Sequence, residues 1–368
     1  MKNKTIPDIF RIVKPCSGHQ PRPASFISIT NYYNLTKHTT IGKIPVILIA
    51  IVLLCHFGTK AQTNTGAVST SPLLYFVSDT QQPMMVEKLV LKSNNNKKAT
   101  ADIFTTILRE KPQSLYMLGD VVSLGYANHK WKKVDVFLDS CRKQGTAVCG
   151  LLGNHEVMGR RAKGEKNFQK RFPTNVRTGY ISITDSVAVV LLNSNFNTLS
   201  GQDLAKQQAW YKATLISLDT NNAVKAVIVA CHHAPFTNSK IVGCSNKVQQ
   251  YFVTDYILSK KAQLFITGHA HAFEHFKIQG KSFLVIGGGG GLHQPLKTGK
   301  NDLADLALDY KPMFHYLSVK RVAANLLITS HFLKPNFAGF NTGLSFNTNL
   351  KDEHIAILDA DIQKGSAN

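Results

Sequence analysis

The strongest pattern in the chain is a series of short, almost uninterrupted apolar runs that begins at Leu73. The runs occupy residues 73–79, 114–120, 146–154, 187–195, 224–232, 262–269 and 281–289. Each run is rich in β-branched residues and too short for a typical helix. Continuous rather than alternating apolar character is typical of strands buried on both faces, so the runs predict sheets covered by helices.

The segments between these runs have room for helices. Apolar side chains recur at helical spacing in residues 97–111, 129–144 and 203–218. Alternation of strands and helices predicts an α/β class with helical layers on the sheets. Residues 314–333 predict a β-hairpin or meander that closes the sheets, and residues 334–368 are weakly patterned. We therefore predict one domain over residues 70–333, followed by a C-terminal extension over residues 334–368.

A separate apolar run lies at residues 44–55, with Lys43 directly before it. The run is short for a membrane span and typical of the apolar region of a signal peptide. Cleavage between Ala61 and Gln62 would fit the small residues that follow. Because residues 1–43 are long for such a leader, an uncleaved membrane anchor and a buried core strand stay open as alternatives. We expect residues 1–61 to direct export, which makes the domain periplasmic or membrane-anchored outside the cytoplasm.

The chain carries 43 Lys and Arg residues against 22 acidic residues, a formal net charge of +21. This excess favours anionic partners such as phosphate substrates, nucleic acid or anionic lipid surfaces, although a solvated lysine-rich surface would also produce it. The basic residues are scattered and form no long run, so nucleic acid is not the favoured partner. The six cysteines form no CxxC pair, which argues against a zinc ribbon.

Polar side chains of a particular kind follow five of the predicted strands. They are Asp79, Asp120, Asn154, His155, Glu156, His232, His233, His269 and His271. Because the carboxyl ends of strands line the ligand crevice of an open α/β sheet, we expect these side chains to share one rim. Carboxylate, amide oxygen and imidazole are ligands for Mn²⁺, Fe and Zn²⁺. Gly119, Gly153 and Gly268 allow the backbone to turn sharply beside them.

The same residues stand in five motifs: SDTQ (78–81), GDVV (119–122), GNHE (153–156), CHHAPF (231–236) and GHAH (268–271). In order and spacing over residues 73–290, this series resembles the calcineurin-like metallophosphoesterase family. The resemblance implies a layered α/β/β/α sandwich with the metal site at the carboxyl ends of the strands. It also implies hydrolysis of a phosphate ester by a hydroxide that bridges two divalent or mixed-valence metal ions, Mn, Fe or Zn.

The resemblance implies a role for each residue. One metal is expected to bind Asp79, Asp120 and His271, and the other Asp120, Asn154, His232 and His269. Asp120 would be shared by both metals, since a carboxylate has two oxygens. Asp120 and His155 are then the catalytic residues, with His155 near the leaving-group oxygen as a general acid or charge stabiliser. His233 is expected in the pocket wall.

The first motif departs from the common pattern of the family. Many members have Asp-x-His, whereas this chain has Asp79, Thr80 and Gln81. Gln81 can still offer its amide oxygen to the first metal, as in branches that resemble enzymes acting on nucleotide diphosphates. Because an amide is a weaker donor than imidazole, we expect the first site to bind its metal less tightly or to prefer a harder ion.

Two alternatives keep the fold and change the function. A nuclease on the same metal core would account for the positive charge, because phosphate contacts dominate nucleic-acid affinity. A non-catalytic exported scaffold would account for Gln81, because such a protein need not retain both ions. The favoured partner is a small-molecule phosphate ester or nucleotide-like substrate, with a membrane tether through residues 44–55 as a further expectation.

Overall fold

The structure is a computed structural model that describes residues 73–299, 302–307, 313–348 and 356–357 of the 368-residue chain. The predicted export segment, with its apolar run at residues 44–55, lies outside the described residues and stays a prediction. None of the described helices has the length and apolar character needed to cross a membrane.

Strands of the described residues form two sheets. In chain order they are β1 (Leu73–Val77), β2 (Ser114–Met117), β3 (Ala147–Gly150), β4 (Tyr180–Thr184), β5 (Val187–Leu191), β6 (Ala226–Ala230), β7 (Ala262–Thr267), β8 (Phe273–Ile278), β9 (Lys281–Ile286), β10 (His315–Val322), β11 (Asn325–Leu333), β12 (Phe340–Asn347) and β13 (Ala356–Ile357). The first sheet has the order β13-β12-β11-β10-β1-β2-β3, and the second has the order β4-β5-β6-β7-β9-β8.

Each sheet contains a group of parallel neighbours. These are β1, β2 and β3 in the first sheet and β5, β6, β7 and β9 in the second. Antiparallel strands flank both groups, since β10 pairs with β1, β4 with β5 and β8 with β9. The loops that leave the parallel strands at their carboxyl ends therefore emerge along one edge of each sheet.

Helices cover the outer faces of the sheets. They are α1 (Asn96–Glu110), α2 (Asn128–Lys143), α3 (Asn154–Val157), α4 (Arg161–Arg171), α5 (Gly201–Thr220), α6 (Asn246–Val248) and α7 (Thr254–Leu258), with a π-helical turn at Gln249–Val253 and 3-10 turns at Glu87–Leu89 and Phe196–Thr198. Side chains of α1, α2 and α4 pack on the first sheet, and those of α5, α6 and α7 pack on the second. Ser200 begins α5, because its hydroxyl accepts a hydrogen bond from Asp203 N at 3.0 Å.

The two sheets pack face to face around a shared apolar core. In β1, Leu74 and Phe76 point into this core. Tyr75 and Val77 alternate with them and pack with side chains of α1 and α2. All five residues of β6 are buried, as expected for a strand covered on both faces. The resulting order of helix, sheet, sheet and helix confirms the predicted α/β/β/α sandwich.

The seven apolar runs from Leu73 onward all form strands, and the three predicted helices are α1, α2 and α5. The predicted hairpin is the antiparallel pair of β10 and β11. The pattern does not predict β4, β8 or β12. β12 lies within residues 334–368 and pairs with β11, so part of the range expected to be an extension adds a strand to the first sheet. The domain boundaries themselves stay predictions.

The shared core gives a direct test of this packing. Ile228 of β6 is fully buried in it, whereas Ile216 of α5 is 59% exposed. Ile228→Ala should lower the free energy of unfolding by about 2–5 kcal/mol through lost burial and a residual cavity. Ile216→Ala removes the same atoms from an exposed side chain and should change the free energy of unfolding by less than about 0.5 kcal/mol. Equal losses in denaturant titrations of the two variants would contradict the assignment of β6 to the core.

Candidate metal centre

The loops that follow β1 and β2 are joined by backbone hydrogen bonds. Asp79 N donates to Gly119 O at 3.1 Å, and Gln81 N donates to Asp120 O at 3.0 Å. Asp79, Asp120 and His269 all have left-handed backbone, with φ of 59°, 49° and 68°. For residues with a Cβ this conformation costs roughly 1–2 kcal/mol each. The fold therefore holds three predicted metal ligands in strained positions, and such strain is concentrated at functional sites.

Gly119 makes the close approach of these loops possible. Its φ is 88°, and a Cβ at this position would lie 2.6 Å from Gly153 N and 2.7 Å from His232 Nδ1. A side chain here would push the loop after β2 away from the loops after β3 and β6. The glycine before Asp120 thus brings the three loops within reach of one another.

Three acceptor atoms converge between β1 and β7. Asp79 Oδ1 lies 3.4 Å from His271 Nε2 and is buried without a hydrogen-bond partner among the described residues. The nitrogen of the Gln81 amide has two acceptors when it donates to Asp120 O at 2.8 Å and Asp79 O at 3.1 Å. In that orientation the Gln81 oxygen faces His271 Nε2 at 3.2 Å. His271 Nδ1 lies 2.8 Å from Leu292 O, which can only accept, so Nε2 of the neutral ring is an acceptor too.

A second group of acceptors lies beside the first. His232 Nε2 is 3.2 Å from Asp120 Oδ2 and 3.1 Å from Asn154 Oδ1. His232 Nδ1 lies 2.9 Å from Leu118 O, so it carries the proton and leaves Nε2 of the neutral ring as an acceptor. Ligand atoms of Asp120, His232 and His269 all lie within 4.8 Å of one another. The structure therefore brings together all seven predicted ligands in two neighbouring groups.

The buried carboxylates and imidazoles of the two ligand groups have strongly shifted pKa values. Burial alone would raise the pKa of Asp120, but the charges of His232 and His155 outweigh burial and hold this pKa well below its usual range. Burial opposes the charged form of His232, yet Asp120 raises the pKa of His232 to about 10. Burial and two neighbouring imidazoles, His233 and His232, hold the pKa of His269 well below its usual range. Protons or metal ions are thus required where carboxylate, amide and imidazole acceptors face each other.

His155 lies at the edge of the second group. Its backbone N donates to Asp120 Oδ1 at 2.8 Å, and its Nδ1 donates to Ser123 O at 3.0 Å. Its Nε2 is 3.8 Å from Asp120 Oδ2 and 3.9 Å from Glu87 Oε1. Burial disfavours the imidazolium, but the charge of Asp120 prevails and raises the pKa of His155. The ring is therefore oriented by one nitrogen and free to use the other as a proton donor.

His233 lies beside the second ligand group, with its Nδ1 bonded outside that group. Its Nδ1 lies 2.8 Å from Ser194 Oγ, and that hydroxyl also accepts from His233 N at 3.0 Å. Its ring centroid is 4.5 Å from that of His269. Burial, together with the charge of His232, lowers the pKa of His233 to about 3, so the ring is neutral at physiological pH. These contacts agree with its expected place in the pocket wall.

Glu156, which ends the GNHE motif, is expected at the shared rim, but the sequence predicts no role for it. Its buried carboxylate accepts four backbone hydrogen bonds, each oxygen taking two. The donors are Asp120 N at 2.8 Å, Val121 N at 2.9 Å, Val122 N at 3.2 Å and Gly153 N at 2.9 Å. Glu156 therefore fixes the turn that carries Asp120. An acidic residue three positions after Gly153, at the start of a helix, was the available signal.

The glycine run at residues 287–291 packs against the first motif. Gly289 N donates to Ser78 O, and Gly291 N donates to Asp79 O, both at 2.9 Å. A Cβ on Gly291 would lie 2.4 Å from His271 Cε1. These two N–H groups are therefore used by the protein and are not donors for a phosphate. The glycines instead allow the loop after β9 to support the loops that carry Asp79 and His271.

The sequence profile of the calcineurin-like phosphoesterase family matches residues 73–273, more than half of the chain. The chain belongs to this family. The matched range contains all seven predicted ligands together with His155 and Glu156. No curated protein matches the chain by sequence.

Solved structures share the fold of this calcineurin-like phosphoesterase family member at low sequence identity. A purple acid phosphatase from yellow lupin (Lupinus luteus) seeds is 14% identical, with a TM-score of 0.55 over 76% of this chain and 54% of the lupin chain. The match thus spans about half the length of the lupin protein. GAP50, the anchor in the inner membrane complex of Plasmodium, is 13% identical, with a TM-score of 0.56 over 77% of this chain and 90% of its own.

Beside the metal centre of this family member, a buried carboxylate holds the loop that follows the CHHAPF motif. Glu274 of β8 accepts from Thr237 Oγ1 at 2.5 Å and from Asn238 N at 2.6 Å. Burial raises the pKa of Glu274 to about 7, against the effect of these two donors, and nearby Asp305 adds to the rise. The loop after β6 therefore depends on a carboxyl group that titrates near neutral pH.

Glu156→Gln tests the support of the Asp120 turn. The amide keeps the size of the side chain, but its NH₂ group faces two backbone N–H donors that then lose their acceptor. The free energy of unfolding should fall by about 2–4 kcal/mol, since a hydrogen bond to a charged group contributes about 1.5–3 kcal/mol. Glu165→Gln is the matched control, because within the described part of the chain Glu165 on α4 has long ion pairs of 3.8 and 3.9 Å as its polar contacts. Equal stability of the two variants in denaturant titrations would contradict the assigned role.

The titration of Glu274 predicts a stability that depends on pH. The unfolded chain has a Glu pKa near 4.5, so between about pH 4.5 and 7 the folded state retains a proton that the unfolded state releases. Stability from this group is therefore present at low pH and is lost as the pH rises toward 7. From pH 5 to 8 the unmodified protein should lose about 3 kcal/mol more than Glu274→Gln, which cannot titrate. Parallel stability curves for the two proteins would be the contrary result.

Proposed function

We propose that this chain is a metal-dependent hydrolase of phosphate esters. The observation that carries the proposal is the convergence of seven acceptor side chains from five loops on one buried place. Asp79 Oδ1 supports the proposal most directly, because it is a buried carboxylate oxygen without a hydrogen-bond partner among the described residues, and a cation beside it would satisfy it. Family membership supports the reaction class, and the identity of the substrate is a separate question.

The donor set fits two metal ions. Asp79, Gln81 and His271 would hold one ion, and Asn154, His232 and His269 would hold the other, with Asp120 shared between them. Oxygen and imidazole donors in this mixture suit Mn, Fe or Zn. When bound, such ions supply Lewis acidity and lower the pKa of water so that a nucleophile exists at neutral pH.

The chain's own residues orient the reaction around these ions. Ser123 O holds Nδ1 of His155, so the Nε2 proton of the imidazolium is the one available to a substrate. Asp120 favours this charged form by raising the pKa of His155. His155 can therefore donate its Nε2 proton to the leaving-group oxygen as a general acid. Glu156 fixes the position of Asp120 relative to His155, because its carboxylate accepts a hydrogen bond from the turn that carries Asp120.

The proposed substrate is a small-molecule phosphate ester or a nucleotide-like compound. The ligand set alone does not separate monoesters from diesters, because substrate choice depends on loops outside the metal ligands. The candidate loops are residues 82–98, 157–180 and 236–250, and the last of these begins at the turn that Glu274 holds.

The test is hydrolysis of an aryl phosphate monoester and diester by the full chain. The protein would be stripped of metal and then supplied with Mn²⁺, Fe²⁺ or Zn²⁺, beside the Asp120→Asn variant. Turnover should require metal and should fall at least about 100-fold in Asp120→Asn, since even the partners of metal ligands affect activity 10–100-fold. Turnover that is independent of metal, or unchanged in Asp120→Asn, would refute the proposal.

A non-catalytic role is the second candidate. Gln81 in place of the common histidine favours it, and the fold also occurs in GAP50, which is described as an anchor. The number of metal ions per chain separates the two candidates, because a scaffold need not bind two. A folded protein that binds fewer than two ions and hydrolyses neither ester would support the scaffold.

A further inference from the structure

A turn between β1 and α1 exposes a cluster of large apolar side chains. We call residues 84–91 the apolar turn; it contains the 3-10 turn at Glu87–Leu89. Its exposed side chains, each between 62% and 85% accessible, are Met85, Val86, Leu89 and Val90. Elsewhere in the described chain no stretch of six residues exposes more than two large apolar side chains. Single exposed apolar residues are ordinary, whereas a cluster of them marks a surface that binds a partner.

The protein holds these four side chains away from its own core. None of them belongs to the three apolar clusters that the described residues form. Glu87 fixes the turn, because Glu87 O accepts from Val90 N at 3.1 Å and from Leu91 N at 2.9 Å. The Glu87 carboxylate adds a third bond, since its Oε2 accepts from Met84 N. The apolar area of the turn is therefore available to a partner.

The charge around the apolar turn is positive. Lys88 lies in the turn and Lys92 directly after it, and both side chains are exposed. Lys88 also lines a depression of about 560 Å³ together with three lysines of α1 and α2, which are Lys97, Lys98 and Lys133. Glu87 is the single acidic residue in the range 84–98. Exposed apolar side chains among lysines match a partner that carries anionic groups above an apolar layer.

The apolar turn lies at the mouth of the metal centre. Glu87 Oε1 is 3.9 Å from His155 Nε2, the nitrogen available to a substrate. The Glu87 carboxylate is therefore directed toward the site, and the apolar side chains on either side of it are directed toward solvent. The turn also follows the carboxyl end of β1, the edge of the sheet at which the predicted ligands lie. A partner bound to the turn thus meets the face of the protein that carries the metal centre.

We propose that the apolar turn docks the protein on an anionic lipid surface. The four apolar side chains enter the boundary between headgroups and acyl chains, and the lysines contact the phosphates of the headgroups. Such docking gains both from buried apolar area and from the attraction between lysines and anionic lipids. The charge favours a lipid surface over a second copy of this chain, because two positively charged turns repel each other. Docking in this way rests on exposed side chains and is independent of the proposed function.

The probe is a vesicle of phosphatidylglycerol that contains lipid brominated in its acyl chains, which quenches a tryptophan that enters the bilayer. The reporter is Leu89→Trp in the full chain, and the matched control is Ile183→Trp. Ile183 is 56% exposed and pairs with Ala188 near the start of β5, at the end of the parallel strands opposite to the ligands. The unmodified chain gives the contribution of its own two tryptophans. A tether through residues 44–55 alone would quench neither reporter.

Quenching at residue 89 should be at least about fivefold stronger than at residue 183, since apolar side chains of a docked surface enter roughly 5–10 Å into the lipid boundary. Both reporter positions are exposed, so both variants should fold, and circular dichroism checks this. The absence of quenching at residue 89 would overturn the proposal. Equal quenching at the two positions would show adsorption without a preferred face and would overturn it as well.

The role of the lysines is tested by Lys88→Glu with Lys92→Glu in the Leu89→Trp protein. Half-maximal quenching should then require at least about tenfold more lipid, because basic residues near an anionic surface contribute to binding. The matched control is Lys225→Glu with Lys260→Glu, an equal change of charge at exposed positions just before β6 and β7. It should stay within about threefold of the Leu89→Trp protein. Equal losses in the two variants would show a general effect of net charge and contradict docking through this turn.

Sedimentation without lipid tests the rival occupant, a second copy of the chain. The proposal expects the same mass for the unmodified protein and for Leu89→Ser with Val90→Ser. A dimer that these two substitutions dissociate would assign the apolar turn to a self-interface and overturn the proposal. None of these measurements requires metal or turnover. Failure of the proposed function would therefore leave the result on lipid docking intact.

Discussion

The buried carboxylate of Asp120 is the interaction on which the rest of the site depends. One of its oxygens accepts from His155 N, and the other lies 3.2 Å from His232 Nε2. A carboxylate in such a place is stable only with positive charge beside it, and its neighbours respond, since Asp120 raises the pKa of both imidazoles. Three features hold the Asp120 carboxylate in place. They are the left-handed backbone of Asp120, Gly119 before it and the hydrogen bonds from its turn to Glu156. Site geometry and fold stability are therefore coupled through the same turn.

The sandwich supplies the stiffness that this arrangement needs. Ligands come from loops of both sheets, and those loops are bonded to each other, as in His269 N to Asp79 Oδ2 at 2.9 Å. The shared core fixes the sheets, so the acceptors cannot move apart to relieve their repulsion. Bound protons or metal ions are then needed to stabilise them.

Much of this arrangement could be predicted from the sequence, because strands covered on both faces leave continuous apolar runs. β4 left no such run, since it is an edge strand with Ile181 and Ile183 partly exposed. β12 was missed because it is only half buried and mixes polar with apolar residues. The types of ligand could be predicted, because each follows a predicted strand. The orientation of the Gln81 amide could not be predicted from the sequence, because it depends on His271, 190 positions away. The role of Glu156 could not be predicted for the same reason, since three of its four donors lie in another loop.

The most direct test of the central claim is anomalous X-ray scattering from crystals grown with Mn²⁺ or Zn²⁺, measured at the absorption edge of the added metal. The account predicts two peaks, one beside Asp79, Gln81 and His271 and one beside Asn154, His232 and His269, with Asp120 in contact with both. A single peak beside His232 would show that Gln81 leaves the first site without metal. The absence of both peaks in a crystal soaked to saturation would contradict the metal centre itself.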